Sequence, residues 1–199
     1  MGSIGPTVDF DAGPGDKVVS PSVLAHVVLR TANFKEMQQF YVTFLGGHVV
    51  HGNDFLSFIT YDHEHHRIAL IGMPDTQPKA PTTAGLHHIA FTFDDLQTLL
   101  LAYRQRKAKG ILPSWSVNHG PTTSIYYKDP DGNLLETQVD NFDTPDEANV
   151  YMSSKEFGQN PIGVDFEPED LIVRFKNGES DAELKRRPES GPRGVPNLD

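Results

Sequence analysis

The sequence predicts an α+β fold: two βαβββ repeats forming an open eight-stranded mixed barrel-like cup, with a C-terminal helical extension. Three observations predict it. Residues 22–73 and 85–140 each read strand, helix, strand, strand, strand, and repetition of one supersecondary unit is the strongest organisational signal in the chain. His26 in AHVVL and His88 in HHIAF occupy equivalent positions in the two repeats. Each helical stretch closes on glycine, a helix stop.

Composition bounds the function. A net charge of −10 argues against a nucleic-acid partner, because phosphate-backbone affinity rests on clustered Lys and Arg. No cysteine is present, so disulfides, thiolate metal sites and cysteine nucleophiles are excluded. Any metal must therefore be held by nitrogen and oxygen, and nine histidines make that worth pursuing. No apolar run approaches a membrane span, so no membrane association is expected. MGSIGPTVDFDAGPGDK lacks a basic region followed by an apolar stretch, so a secretory signal is not expected, and a cytoplasmic setting is the default.

Residues 1–20, rich in Gly, Pro and Asp, read as a flexible N-terminus, and 21–142 as the folded domain. VLAHVVLR (23–30) is an apolar run of strand length. In NFKEMQQFYVTFLGG (33–47), Phe34, Met37, Phe40, Tyr41 and Phe44 recur at three- and four-residue spacing, which is an amphipathic helix. GHVVH, FLSFITY and RIALIG are three short strands, and PDTQPKAPTTAG (74–85) connects the repeats. GLHHIAFTF (85–93) is a strand, and DDLQTLLLAYRQRKAKG (94–110) a helix with acidic residues first and basic residues last. Strands follow at 111–118, 122–128 and 133–139, the last two joined by the turn sequence DPDGN. Residues 143–185 form the helical extension. Thr144, Pro145 and Glu147 make a helix start, and EPEDLIVRFKNG (167–178) a second helix. These helices are expected on the outside of the domain or on a partner subunit. Residues 186–199 read as a disordered tail.

Strand parity assigns the faces. Successive side chains point to opposite sides, and the side covered by a helix must be apolar. In 87–93, Ile89, Phe91 and Phe93 select the helix side, so His88, Ala90 and Thr92 face the concave side. In 24–30, Val27 and Leu29 face the helix, and His26, Val28 and Arg30 face inward. In the last strand Leu135 and Val139 place Glu136 and Gln138 inward. Two imidazoles and one carboxylate then converge from three strands. A lone strand histidine is ordinarily a hydrogen-bonded core or surface residue, and a lone strand Glu ordinarily faces solvent. Repeat-equivalent histidines with an in-phase Glu match the donor set of non-haem Fe(II) oxygenases, which also serves Zn and Mn.

AHVVLR, LHHIAF and YYKDPDGNLLE, with the repeated unit, resemble the vicinal oxygen chelate superfamily, which includes glyoxalases, fosfomycin-resistance proteins and extradiol ring-cleaving dioxygenases. The likeness covers about residues 22–140. It implies a metal held by His26, His88 and Glu136. EHHRIAL (64–70) and NHGPTTSIYYKDPDGNLLE (118–136) resemble the type I extradiol dioxygenases more closely. That likeness implies His66 beside the O₂ site, His119 as acid–base and Tyr126 in contact with substrate. RIALIG offers no fourth ligand of the kind glyoxalases use, which leaves three positions on an octahedral ion, two for a catechol and one for O₂. The expected activity is Fe(II)-dependent cleavage of a catechol-like aromatic diol, with Mn(II) and Zn(II) as alternative metals. Two readings compete: a Zn-, Ni- or Mn-dependent isomerase, epimerase or thiol transferase of the superfamily, and a non-catalytic ligand-binding protein of the fold. Domains of this superfamily often pair, which leaves the oligomeric state open, a homodimer among the options.

Overall fold

The computed structural model describes residues 18–80, 83–196 and 198. Most of the expected flexible N-terminus therefore lies outside the described residues. The first repeat runs β1 (Val27–Thr31), α1 (Phe34–Leu45), β2 (His48–Gly52), β3 (Leu56–Thr60) and β4 (Ile68–Gly72). The second runs β5 (His88–Thr92), α2 (Leu96–Ala108), β6 (Trp115–Asn118), β7 (Thr122–Lys128) and β8 (Leu134–Asp140). β1 starts later than the sequence suggests, so His26 stands just ahead of it, whereas His88 is the first residue of β5.

Each repeat forms its own mixed sheet. Sheet A has the order β1-β4-β3-β2, and sheet B the order β5-β8-β7-β6, extended by the short β9 (Val164–Asp165). The first and last strands of each repeat pair in parallel, and the others pair antiparallel. Among the described residues the strands form no closed barrel.

The helices explain how the sheets sit. Met37, Tyr41 and Phe44 line the buried stripe of α1 and share one core with Ile59, Ile68 and Leu70 of sheet A. The same stripe reaches sheet B. The Phe44 ring lies 6.2 Å from Phe91 and 5.2 Å from Tyr127, both edge-on. Buried Arg106 of α2 donates to the Phe44 carbonyl at 2.9 Å and stacks its guanidinium 4.1 Å from the Phe44 ring. The Tyr41 hydroxyl donates to Asp129, just after β7, at 2.9 Å. Thus α1 is wedged between the two sheets, against the apolar side of each. The glycine stop holds: Gly46 caps α1 at φ 63°, a left-handed conformation that glycine adopts without a Cβ penalty.

Phe44→Ala removes a side chain only 2% exposed that contacts both repeats. It should cost about 3–5 kcal/mol, the usual range for a buried aromatic truncated to alanine, measured as a lower midpoint in urea unfolding.

The extension contains α3 (Pro145–Met152), α4 (Lys155–Gln159), α5 (Pro168–Lys176) and α6 (Asp181–Leu184). Thr144 and Glu147 form the expected capping box. Glu169 at the start of α5 receives Arg104 at 2.7 Å and Lys107 at 2.9 Å, which ties the extension to α2. Described residues of the C-terminal segment bond to the rest of the fold. Arg187, 9% exposed, donates to the carbonyls of His119 (3.2 Å) and Asn160 (2.7 Å). Arg193 pairs with both carboxylate oxygens of Asp165 at 2.7 Å. A Pro/Gly/Arg composition predicts no apolar core of its own, and the anchoring comes from charged side chains bonding to backbone and carboxylate, which hydrophobic periodicity does not reveal.

Candidate functional site

Sheet B carries the densest set of candidate residues on the face turned away from the helices. Ile89, Leu135, Ile125 and Tyr127 fill the core on one side, so alternation turns His88, Glu136, Ser124 and Tyr126 to the other. The register places Tyr126 opposite Glu136 on β8 and Trp115 opposite Tyr126 on β6. His88 Nε2 lies 3.0 Å from Glu136 Oε2. Two donors about 2.1 Å from one ion at right angles stand about 3 Å apart, so this pair has the spacing of adjacent ligands. Glu136 is 5% exposed. Burial pushes its pKa up, but hydrogen bonds from His88 and Ser124 outweigh that and hold the carboxyl below its ordinary value.

His119 and Tyr126 sit beside it. His119 Nδ1 bonds the Ile162 carbonyl, and Nε2 lies 3.0 Å from the Tyr126 hydroxyl. A carbonyl only accepts, so Nδ1 carries the proton and Nε2 presents its lone pair. The Tyr126 hydroxyl then donates to Nε2. Burial lowers the His119 pKa, against the opposing pull of the Ile162 carbonyl and Glu136. Burial and the Glu136 charge raise that of Tyr126, so the phenol keeps its proton. Trp115 stacks on Tyr126 with ring centres 5.0 Å apart.

The C-terminal extension fixes this pair. β9 extends the sheet beside β6, with Asn118 opposite Val164. Asn160, 1% exposed, accepts from the amides of Ile162 and Gly163 and so sets the carbonyl that His119 bonds. Gly163 has φ +112°, and a Cβ there would lie 2.3 Å from the Asn118 carbonyl oxygen, so only glycine fits. Nothing in the sequence marked Ile162 or Arg187, because one acts through a backbone carbonyl and the other lies 68 residues from the histidine whose loop it anchors. Arg187→Met should lower kcat about 10-fold, the low end of the cost of losing an outer supporting contact, with metal content unchanged and Arg187→Lys recovering part of the loss.

The first repeat presents a different group. The His26 and His66 rings lie 4.3 Å apart, tilted by 34°, and Phe58 lies 4.6 Å from His66 and 6.0 Å from His51. A row of rings therefore crosses the free face of sheet A. Parity alone sends His66 to the side of Ile68 and Leu70, but the chain bends ahead of β4 and turns the ring to the free face. Burial, then His26 and His65, lower the His66 pKa.

Of the six candidate residues, the structure brings His88, Glu136, His119 and Tyr126 together on sheet B, and His26 and His66 together on sheet A. Among the described residues, no group of three or more His, Asp or Glu side chains stands close enough to hold one metal ion. The donor chemistry of His88 and Glu136 suits a ferrous ion, and His26 stands apart from them, beside His66. A recess of about 760 Å³ between β1, the repeat connector and the β7–β8 turn is lined by none of the six.

Two βαβββ repeats, each forming its own mixed sheet, define a two-module α+β scaffold. The chain belongs to the glyoxalase/bleomycin resistance protein/dioxygenase superfamily, whose model matches residues 23–137. It is 54% identical to "Biphenyl-2,3-diol 1,2-dioxygenase 2" from Rhodococcus globerulus over 72% of this chain and 76% of that protein. It is 46% identical to "Biphenyl-2,3-diol 1,2-dioxygenase 3" of the same organism over 82% and 87%. Among solved structures, a lactoylglutathione lyase from Agrobacterium tumefaciens matches 60% of this chain and 94% of its own, with a TM-score of 0.50 at 20% identity. That likeness supports the fold alone. No helix among the described residues is long and apolar enough to cross a membrane.

Proposed function

We propose that this protein is an Fe(II)-dependent extradiol dioxygenase that cleaves a catechol-like aromatic diol with O₂, in the cytoplasm. The observation that carries the reading is the placement of the His88–Glu136 donor pair beside the Tyr126–His119 proton couple on one sheet face. The 54% and 46% identities to proteins named biphenyl-2,3-diol 1,2-dioxygenases supply the reaction class.

His88, Glu136 and His26 are the residues that would hold the ion, through two neutral imidazoles and a carboxylate. When bound, ferrous iron supplies the oxygen chemistry that protein side chains lack. The protein's own groups bind, orient and move protons. Ser124 and His88 keep Glu136 ionised and in place. Tyr126, protonated and buried, would turn its hydroxyl from His119 Nε2 to a substrate oxygen when the diol binds, which frees the Nε2 lone pair. His119 Nε2, with its lone pair turned to the site, takes a proton released from the diol and returns it to the product. The Ile162 carbonyl holds the tautomer that makes this possible. Trp115 and Tyr126 offer an aromatic wall for a flat ring. His66 is the group reserved for the O₂ side of the site.

The test is anaerobic loading with Fe(II), then addition of biphenyl-2,3-diol and O₂. A yellow ring-opened product, with one O₂ consumed per diol, supports the reading. Turnover with Mn(II) or Zn(II) and no O₂ uptake would instead support an isomerase or transferase of the same superfamily.

A further inference from the structure

We infer that Asp165 and Arg193 are positioning residues that clamp Trp115 into the substrate wall, so that the C-terminal segment sets the preference for a diol carrying a second aromatic ring. The inference rests on the dioxygenase reading and adds which part of the substrate the extension acts on.

The order of strands leads to it. Glu136 on β8, Tyr126 on β7 and Trp115 on β6 stand opposite one another in register and share the face turned from the core. Neighbouring strands lie about 4.8 Å apart, so Trp115 stands roughly 10 Å from Glu136, two strands away. A diol held at His88 and Glu136 lays its own ring beside Tyr126. A substituent beyond that ring is the part that reaches Trp115.

Trp115 is tied into its pose from the extension. β9 pairs antiparallel with β6, which sets Asp165 opposite Val117 and diagonal to Trp115 on the same face. The indole Nε1 donates to Asp165 at 2.7 Å. Arg193 closes the clamp. It donates to both carboxylate oxygens of Asp165 at 2.7 Å, and its guanidinium carbon lies 5.7 Å from the centre of the Trp115 ring, within cation–π range. The ring so held stacks on Tyr126, tilted by 27°, and stands edge-on to His119 with centres 5.5 Å apart. Removal of Arg193 frees the Asp165 carboxylate to swing toward water and takes the cation off the ring. The indole then keeps its pose only through its aromatic neighbours.

The ion pair is poorly placed to stabilise the fold. The Asp165 side chain is 57% exposed and that of Arg193 28%, and a pair this open to water contributes little to stability. What its two-point geometry fixes is the direction of the carboxylate to which the indole donates.

Trp115 is the only tryptophan in the chain, so intrinsic fluorescence reports this one indole. Arg193→Met should shift its emission to longer wavelength and make it easier to quench with acrylamide. On the Fe(II)-loaded enzyme with O₂, kcat/KM for biphenyl-2,3-diol relative to catechol should fall about 3- to 10-fold, the worth of one aromatic contact, with the loss carried by KM more than by kcat. Arg193→Lys should recover part of the ratio. Asp165→Asn, which keeps the side-chain size, should lower the ratio in the same direction and guards against a folding defect peculiar to one variant. In a Trp115→Leu background, Arg193→Met should leave the ratio where Trp115→Leu alone sets it, because its effect passes through the indole. An unchanged emission, an equal loss on both diols, or a further loss in the Trp115→Leu background overturns the clamp alone, with the wild type still cleaving biphenyl-2,3-diol. A wild type that consumes no O₂ with either diol overturns the dioxygenase reading itself, and the clamp's part in substrate choice with it.

Discussion

Glu136→Gln should lower kcat by at least about 10³-fold and remove bound iron, with the fold intact. Loss of a supporting group around a metal already costs 10–100-fold, and Glu136 is the only carboxylate in the proposed donor set. Glutamine preserves the volume of a side chain that is 5% exposed, so packing is undisturbed. It removes the charge that the His88 and Ser124 contacts are arranged to hold ionised. Iron content and circular dichroism measured on the same preparation separate a ligand effect from unfolding. An unfolded variant would lose both signals, whereas a ligand variant loses only the iron.

His119→Gln should lower kcat about 10²–10⁴-fold, the range for a positioned acid–base group, while iron content stays at the wild-type level. The pH profile supplies the sharper readout. The wild type needs neutral His119 to take a proton. Burial depresses the pKa of this imidazole, so its protonated form appears only below the ordinary histidine range. Wild-type kcat/KM should therefore stay flat as pH falls through the ordinary histidine pKa and drop at lower pH. In His119→Gln that acid limb should be lost. Tyr126, held protonated by burial and by Glu136, sets no limb near neutrality.

Much of the fold was legible because each repeat obeys simple periodicities. Met37, Tyr41 and Phe44 fall on one helical stripe, and all three are buried. The alternation in HHIAFTF placed Ile89 in the core and turned Ala90 and Thr92 to the opposite face of the strand, where both are exposed. Thr144 and Glu147 announced α3, and its capping box is present. Face assignment on β8 rested on Leu135 and Val139 alone, and both lie in the core.

Long-range relations were not legible. Parity says which side of its own sheet His26 takes, but the relation of one sheet to the other is set by Phe44 reaching Phe91 and Tyr127, residues far apart in sequence whose pairing no local pattern encodes. Convergence of all three donors does not follow from each facing the concave side of its own repeat. The contacts of the C-terminal segment were illegible for a related reason. Arg187 and Arg193 bind a carbonyl and a carboxylate, contacts with no periodicity, inside a segment whose Pro and Gly content suggests disorder. His66 escaped its strand's parity because it lies in the bend before the strand begins.

The most direct measurement of the central claim is anomalous X-ray scattering at the iron edge from crystals loaded with Fe(II) under anaerobic conditions. The account predicts one iron peak per chain, bounded by His88 Nε2 and a Glu136 carboxylate oxygen. A loaded crystal with iron elsewhere, or with His88 and Glu136 still bonded to each other and no iron between them, would contradict it.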